Sequence, residues 1–137
     1  MSFVEEILST PHKVAIVGVS QDPSKYGHEV FEALLENGQH VYPINPKYQD
    51  IDGHPCYPSL DRLPEIPDLV VTAVLPAVTE KVAEMCAQLH IDALWMTPGT
   101  DSDEALEICR KNNVNAIHGF CPVFVLKLPR ERWHELP

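Results

Sequence analysis

The sequence predicts a doubly wound α/β domain, a mainly parallel sheet with helices on both faces. Three observations carry that expectation. Short apolar runs recur at 13–19, 41–44, 68–75, 93–96 and 114–118, the first of them rich in β-branched residues. Segments with apolar residues at helical spacing separate most of them. The connections are short, and strand–helix alternation of this kind implies parallel strands joined by right-handed crossovers. At 137 residues the chain suits a single domain spanning 1–137, without internal repeats or linkers.

Run 13–19 is continuously apolar after Lys13, as in a strand buried on both faces. A helix is expected over 27–37, where Val30, Phe31, Leu34 and Leu35 share a face and Gly38 stands at the C-cap glycine position. Run 41–44 is a short second strand closed by Pro46. Pro46, Pro55, Pro58, Pro64 and Pro67 forbid a long helix between that strand and the next. Asp52-Gly53 marks a turn, 54–57 a short edge strand, and 59–63 room for about one helical turn. After the strand at 68–75, Pro76 takes the first-turn position where proline is tolerated. Val78, Val82, Met85 and Leu89 form the expected core stripe of that helix. The strand at 93–96 runs into Thr97-Pro98-Gly99. A further helix begins within 100–106, with a capping-box pattern at Asp101 and Glu104, and with Thr100 and Ser102 as other candidate caps. Asn112-Asn113 ends it, and 114–118 is the last strand.

Composition narrows the function. The apolar fraction of 45% and charged fraction of 22% are those of an ordinary soluble protein. No apolar run approaches the roughly 20 residues of a membrane span. The N-terminus carries Glu5 and Glu6 and no basic region, which argues against a signal peptide, so a cytoplasmic protein is expected. A net charge of −10 makes nucleic acid a poor partner, because no basic patch is available for phosphates. The cysteines Cys56, Cys86, Cys109 and Cys121 form no C-x-x-C pair and are expected to be reduced. Cys86 and Cys109 fall on apolar helix faces, which points to core packing. His118 and Cys121 could supply two metal ligands, but no further cluster completes a tetrahedral set, so no metal site is expected.

In open α/β sheets, ligands bind outside the carboxyl ends of the strands, near the point where strand order reverses. Those ends are Gly18-Val19-Ser20, Asn45-Pro46-Lys47, Leu75-Pro76 and Thr97-Pro98-Gly99. The helix beginning near Gly27 offers free N–H groups and a positive dipole end to an anion, and Gly18 allows close backbone approach. Either glycine could equally serve only packing and turning. A G-x-G-x-x-G turn is absent, and the second strand ends in Asn45-Pro46-Lys47 where an NAD site would place a carboxylate. An ammonium group there suits a phosphorylated ribose, whether the 2′-phosphate of NADP or the 3′-phosphate of coenzyme A. A solvated loop lysine is the plainer reading of Lys47.

Four colinear motifs then bear a family resemblance: G-V-S-x-x-P-x-K-Y-G at 18–27, V-Y-P-I-N-P-K at 41–47, I-D-G-x-x-C-Y-P-S-L at 51–60 and W-M-T-P-G at 95–99. From about residue 13 to 121 the chain resembles the small, free-standing CoA-binding domain proteins. Those share a Rossmann-like fold with the N-terminal domain of the succinyl-CoA synthetase alpha subunit. The resemblance implies a site for coenzyme A or an acyl-CoA. Gly18, Val19 and Ser20 would meet its phosphates, with Lys25, Tyr26 and Gly27 forming the loop and helix start. Asn45, Pro46 and Lys47 would border the adenosine, and Leu75, Pro76, Pro98 and Gly99 would line the other side of the cleft. Two departures stand out: Thr97 replaces a common glutamine, and an apolar segment follows Cys121 where the family has a polar tail.

No catalytic constellation emerges. Ser20 lacks a G-x-S-x-G elbow, and the seven histidines cannot be paired with a nucleophile. His28, near the predicted helix start, could reach phosphate, although a capping or exposed role is the stronger expectation. The resulting expectation is a small-molecule-binding carrier, sensor or partner module, with a protein partner or homo-oligomer possible and no membrane. The rivals are an NADP-binding oxidoreductase-type domain and an interaction module without a ligand.

Overall fold

The computed structural model describes residues 2–136. Helix α1 (Phe3–Ser9) opens the chain, capped by Ser2, whose hydroxyl accepts from the Glu5 amide at 3.1 Å. It buries Val4, Ile7 and Leu8, and the sequence pattern does not announce it. Seven residues give too few turns for a helical period to stand out. Strand β1 (Lys13–Val17) leads to α2 (Tyr26–Glu36), β2 (His40–Ile44) and a small antiparallel hairpin, β3 (Asp50–Ile51) with β4 (His54–Pro55). A 3-10 turn at Leu60–Arg62 precedes β5 (Leu69–Thr72), α3 (Pro76–Gln88), β6 (Ala93–Met96) and α4 (Asp103–Lys111). Then come β7 (Asn115–Ile117), α5 (Pro122–Lys127) and a last 3-10 segment, Arg130–Glu135.

The sheet is parallel and five-stranded, in the order β2-β1-β5-β6-β7. This doubly wound order reverses between β1 and β5, as expected of a Rossmann-like fold. Alternate residues feed two cores. Val14, Ile16, Leu69, Val71 and Trp95 pack with α1, α2 and α5 on one face. Ala15, Val70, Leu94 and Met96 pack with α3 and α4 on the other. Burial on both faces is why the strands read as unbroken apolar runs.

Local chemistry fixes the element ends. Gly38, at φ +94°, follows the α2 C-cap Asn37. Of the candidate caps for α4, Ser102 is the one used, accepting from the Ala105 amide at 3.1 Å. The Pro43 carbonyl accepts from the Tyr57 amide at 3.0 Å, so residue 43 faces the outer edge of the sheet. A proline there removes no ladder bond. The expected strand at 54–57 divides: β4 pairs within the hairpin, while Tyr57 bridges to Ile44. Cys86 and Cys109 are fully buried, and burial pushes the Cys86 thiol up to about 12, which marks it as a packing residue.

The expected core stripe of α3 holds at Val82, with Met85 and Leu89 packed against the core, but not at Val78. Its buried residues are Thr79, Val82, Ala83 and Cys86, whereas Val78 is 40% exposed. Val78 lines a groove, to which Val82 and Met85 also contribute. Two apolar surfaces meet on this helix, and the wider stripe of the sequence blends them.

Glu65 clamps the start of the sheet. It accepts from the Tyr42 hydroxyl and pairs with Lys13 Nζ at 2.7 Å. The hydrogen bonds from Lys13 and Tyr42 hold its carboxyl below its ordinary value of 4.5. A depressed carboxyl stabilises the fold above its unfolded-state value and loses that effect as pH falls through the depressed one. Glu65→Gln should therefore lower the urea midpoint at neutral pH, and the gap from wild type should close in acid below 4.5. Urea titrations at the two pH values check this.

Candidate functional site

The cleft begins with a contact between two glycines. Gly18 sits at φ +104°, and a Cβ there would lie 2.4 Å from the Ala73 carbonyl oxygen and 2.7 Å from Val74 Cγ1. A Cβ on Gly27, in the first turn of α2, would lie 2.2 Å from the Gly18 carbonyl oxygen. The room left by each glycine is thus filled by neighbouring protein, not open to a ligand. Their effect is to seat the α2 N-terminus directly on the end of β1. Lys25, the α2 N-cap, makes no side-chain cap bond, so the first-turn amides have no side-chain acceptor there.

Most polar side chains of the motifs hold the loops in place. Asn45 Nδ2 donates to the Val19 carbonyl at 2.9 Å, and its Oδ1 accepts from the Lys47 amide at 2.9 Å. The β2 end is thereby tied to the β1 end, while the Val19 side chain is fully buried in the core. Ser20 Oγ accepts from the Asp22 amide at 3.0 Å, and Asp22 accepts from the Ser24 amide at 2.9 Å and from its hydroxyl. That Ser24 backbone bond holds the Asp22 carboxyl below its usual range. Gln21 Nε2 reaches the Asp50 carbonyl at 2.9 Å, which joins this loop to the β3–β4 hairpin. Lys25, Pro46 and Lys47 are exposed.

His28 departs from the expected exposed or capping role. It is 1% exposed, with Nδ1 2.6 Å from the Ser20 carbonyl oxygen and Nε2 3.0 Å from Glu32 and 2.9 Å from Asp52. All of those partners are acceptors, so both ring nitrogens donate. Burial opposes the charge, but the Ser20 carbonyl and the two carboxylates outweigh it and hold the pKa above its ordinary 6.5.

On the other side, Leu75 is the N-cap of α3 and 75% exposed, with Pro76 at the first helical position. Thr97-Pro98-Gly99-Thr100 is a tight turn: the Thr100 amide donates to the Thr97 carbonyl at 3.0 Å, and Gly99 takes φ +87°. Pro98 and Gly99 are its central residues, and Gly99 is exposed. The Thr97 side chain, standing where the resemblance leads one to expect glutamine, is fully buried and donates to the Thr72 carbonyl at 2.7 Å. Its hydroxyl ties down the sheet end and also lies beside Tyr26. The Tyr26 hydroxyl lies beside Cys121 and Thr97, and partial burial together with the Cys121 thiol raises its pKa above the usual value. Tyr26 therefore spans from the α2 start to the end of β6 and the N-cap of α5.

A groove of about 240 Å³ runs below Pro46, between Val17, Ile44 and Leu60 on one side and Val78, Val82 and Met85 of α3 on the other. Lys81 stands on its wall. Sequence reasoning did not single out these side chains, Lys81 among them, as site residues. The signal was present in the Val78-Val82-Met85 stripe, which reads equally well as core.

The strand order and the cleft beside its reversal define a Rossmann-like α/β domain, with four strand ends along the cleft. The chain belongs to the CoA-binding domain family, which matches residues 12–127. An ADP-forming acetate–CoA ligase from Methanocaldococcus jannaschii is 32% identical over 122 residues, 83% of this chain. The chain spans only a small part of such ligases, 17% of that one and 13% of a counterpart from Archaeoglobus fulgidus. Solved structures include a conserved hypothetical protein from Pyrococcus furiosus, 37% identical with a TM-score of 0.78, covering 82% of this chain and 97% of that one. A hypothetical protein from Pyrococcus horikoshii is 30% identical with a TM-score of 0.84, covering 88% of this chain and 85% of its own. Among the described residues, no helix is long and apolar enough to cross a membrane.

The glycine contact makes a prediction of unusual sign. Replacing glycine by alanine inside a helix ordinarily stabilises by roughly 0.5–1 kcal/mol. Gly27→Ala should instead destabilise by about 1–3 kcal/mol, because the added methyl meets backbone with nowhere to move. Chemical denaturation of the two proteins reads the sign directly.

Proposed function

We propose that this protein binds coenzyme A or an acyl-CoA across the carboxyl ends of β2, β1, β5 and β6, as a carrier, sensor or partner module with no reaction of its own. The observation that carries this reading is the apolar groove beside the exposed Pro46-Lys47 end, set next to the uncapped start of α2. At about 240 Å³ the groove is smaller than a whole drug-sized site, and it suits one aromatic base of a longer ligand. The adenine lies between Ile44 and Pro46 on one side and Val78 and Val82 on the other. The 3′-phosphate meets Lys47, with Lys81 on the same wall. The pyrophosphate lies over Gly18, Val19 and Ser20 and receives the α2 amides, with Lys25, Tyr26 and Gly27 at the helix start. The pantetheine arm passes Leu75 and Pro76 toward Pro98, Gly99 and Tyr26. Family membership and the likeness to acetate–CoA ligases support the same ligand class.

Calorimetry of the purified chain with CoA, dephospho-CoA, NADP and NAD tests it. CoA should bind most tightly, exceeding dephospho-CoA by about tenfold, the equivalent of roughly 1.4 kcal/mol for one charge-assisted contact. Lys47→Ala should shrink that gap. Val78→Asn, at an exposed position, should weaken CoA and dephospho-CoA alike. Tight NADP binding without CoA binding, or a Lys47→Ala loss equal for both ligands, would overturn the assignment.

A further inference from the structure

We propose that His28, Glu32 and Asp52 form a binding site for a divalent transition-metal ion of the zinc class. Their ligand atoms all lie within 4.8 Å of one another, the one such convergence of three His, Cys, Asp or Glu side chains among the described residues. His28 and Glu32 are one helical turn apart on α2, and Asp52 reaches them from the β3–β4 turn. Nε2 of His28 is 3.0 Å from Glu32 Oε1 and 2.9 Å from Asp52 Oδ2. Two ligand atoms each about 2.1 Å from one ion lie about 3.0–3.4 Å apart for angles between a right angle and the tetrahedral one. His28 Nε2 already stands close to that spacing from each carboxylate oxygen, and closing the two exposed carboxylates, which lie within 4.8 Å of each other, onto one ion would complete the geometry.

The surroundings match a metal-bound histidine. The ring is buried, and its Nδ1 donates to the Ser20 carbonyl at 2.6 Å, a bond that fixes the tautomer with Nε2 directed at both carboxylates. Metal-ligating histidines characteristically donate their second N–H to such an outer partner. The two carboxylates bring two negative charges to the one imidazole, and a divalent ion balances both. The side chains of Glu32 and Asp52 are 53% and 55% exposed, which leaves the ion a path to enter and room for water as a further ligand. The site stands independently of the coenzyme reading, since no residue of it lines the groove.

The test uses the full chain after removal of metals with a chelator, titrated with Co²⁺ and then Zn²⁺. The expected result is a visible Co²⁺ absorption saturating at one ion per chain and displaced by Zn²⁺. Asp52→Asn and Glu32→Gln, both at exposed side chains, should each weaken the ion by about 10–100-fold. His28→Ala should abolish binding, and circular dichroism shows whether that variant folds. CoA affinity, measured separately without metal, is not part of the outcome. Absence of a stoichiometric band, a sulfur-to-cobalt charge-transfer band that places the ion on a cysteine, or unchanged affinity in both exposed variants would overturn the proposal.

Discussion

The close approach of Gly18, Gly27 and the Ala73 carbonyl is the constraint on which the site depends. Backbone meets backbone there with no side chain between, so α2 starts as near the end of β1 as atoms allow. From that one contact follow the direction of the first-turn amides and the burial of Val19. It also fixes the position of His28 under the Ser20 carbonyl. A phosphate-binding turn of the G-x-G-x-x-G kind is often explained by glycines that open space for the ligand. In this chain the glycines bring the helix to the strand.

A second constraint comes from the division of apolar surface. The sheet is covered on both sides, so each strand spends its alternate residues on two cores. Helix α3 then faces two ways. Val82 and Ala83 turn to the sheet, while Val78 and Met85 stand over the ends of β1 and β2. An apolar groove open to solvent beside lysines is costly unless something fills it, and its position at the strand ends is where this architecture receives ligands.

These constraints explain how much was legible in the sequence. The strands were readable because burial on both faces leaves nothing but apolar residues, as in Ala93–Met96, and because Pro76 and Gly38 punctuate the helices with fixed chemistry. Three of the four strand ends were readable because Gly18, Asn45 and Thr97 each follow a strand directly, whereas Leu75 lies beyond the end of β5 at Thr72. What escaped was whatever depends on contacts distant in sequence. Helix α1 is held by Gln39, whose buried carboxamide bonds the Ile7 and Thr10 carbonyls and the His12 amide, and no local pattern announces that. The exposure of Val78 was hidden because core and groove share one apolar alphabet. His28 read as exposed because its burial rests on Asp52 from a hairpin 24 positions further along the numbering.

The polar residues of the four motifs divide their labour unevenly. Asn45 has both ends of its carboxamide engaged, Ser20 and Asp22 fold their own loop, and Thr97 secures the end of β6. The side-chain chemistry of the cleft is thus consumed in fixing backbone, and what remains to face a ligand is amide N–H groups, prolines and exposed lysines. Such a surface carries little flexibility to lose on binding, which favours affinity through preorganisation. It also carries exposed lysines in a chain whose net charge is −10, so the proposed anionic ligand would meet local positive charge there. The lysines at 25, 47 and 81 are therefore best understood as local corrections to the global field, each effective within about a Debye length of its own position.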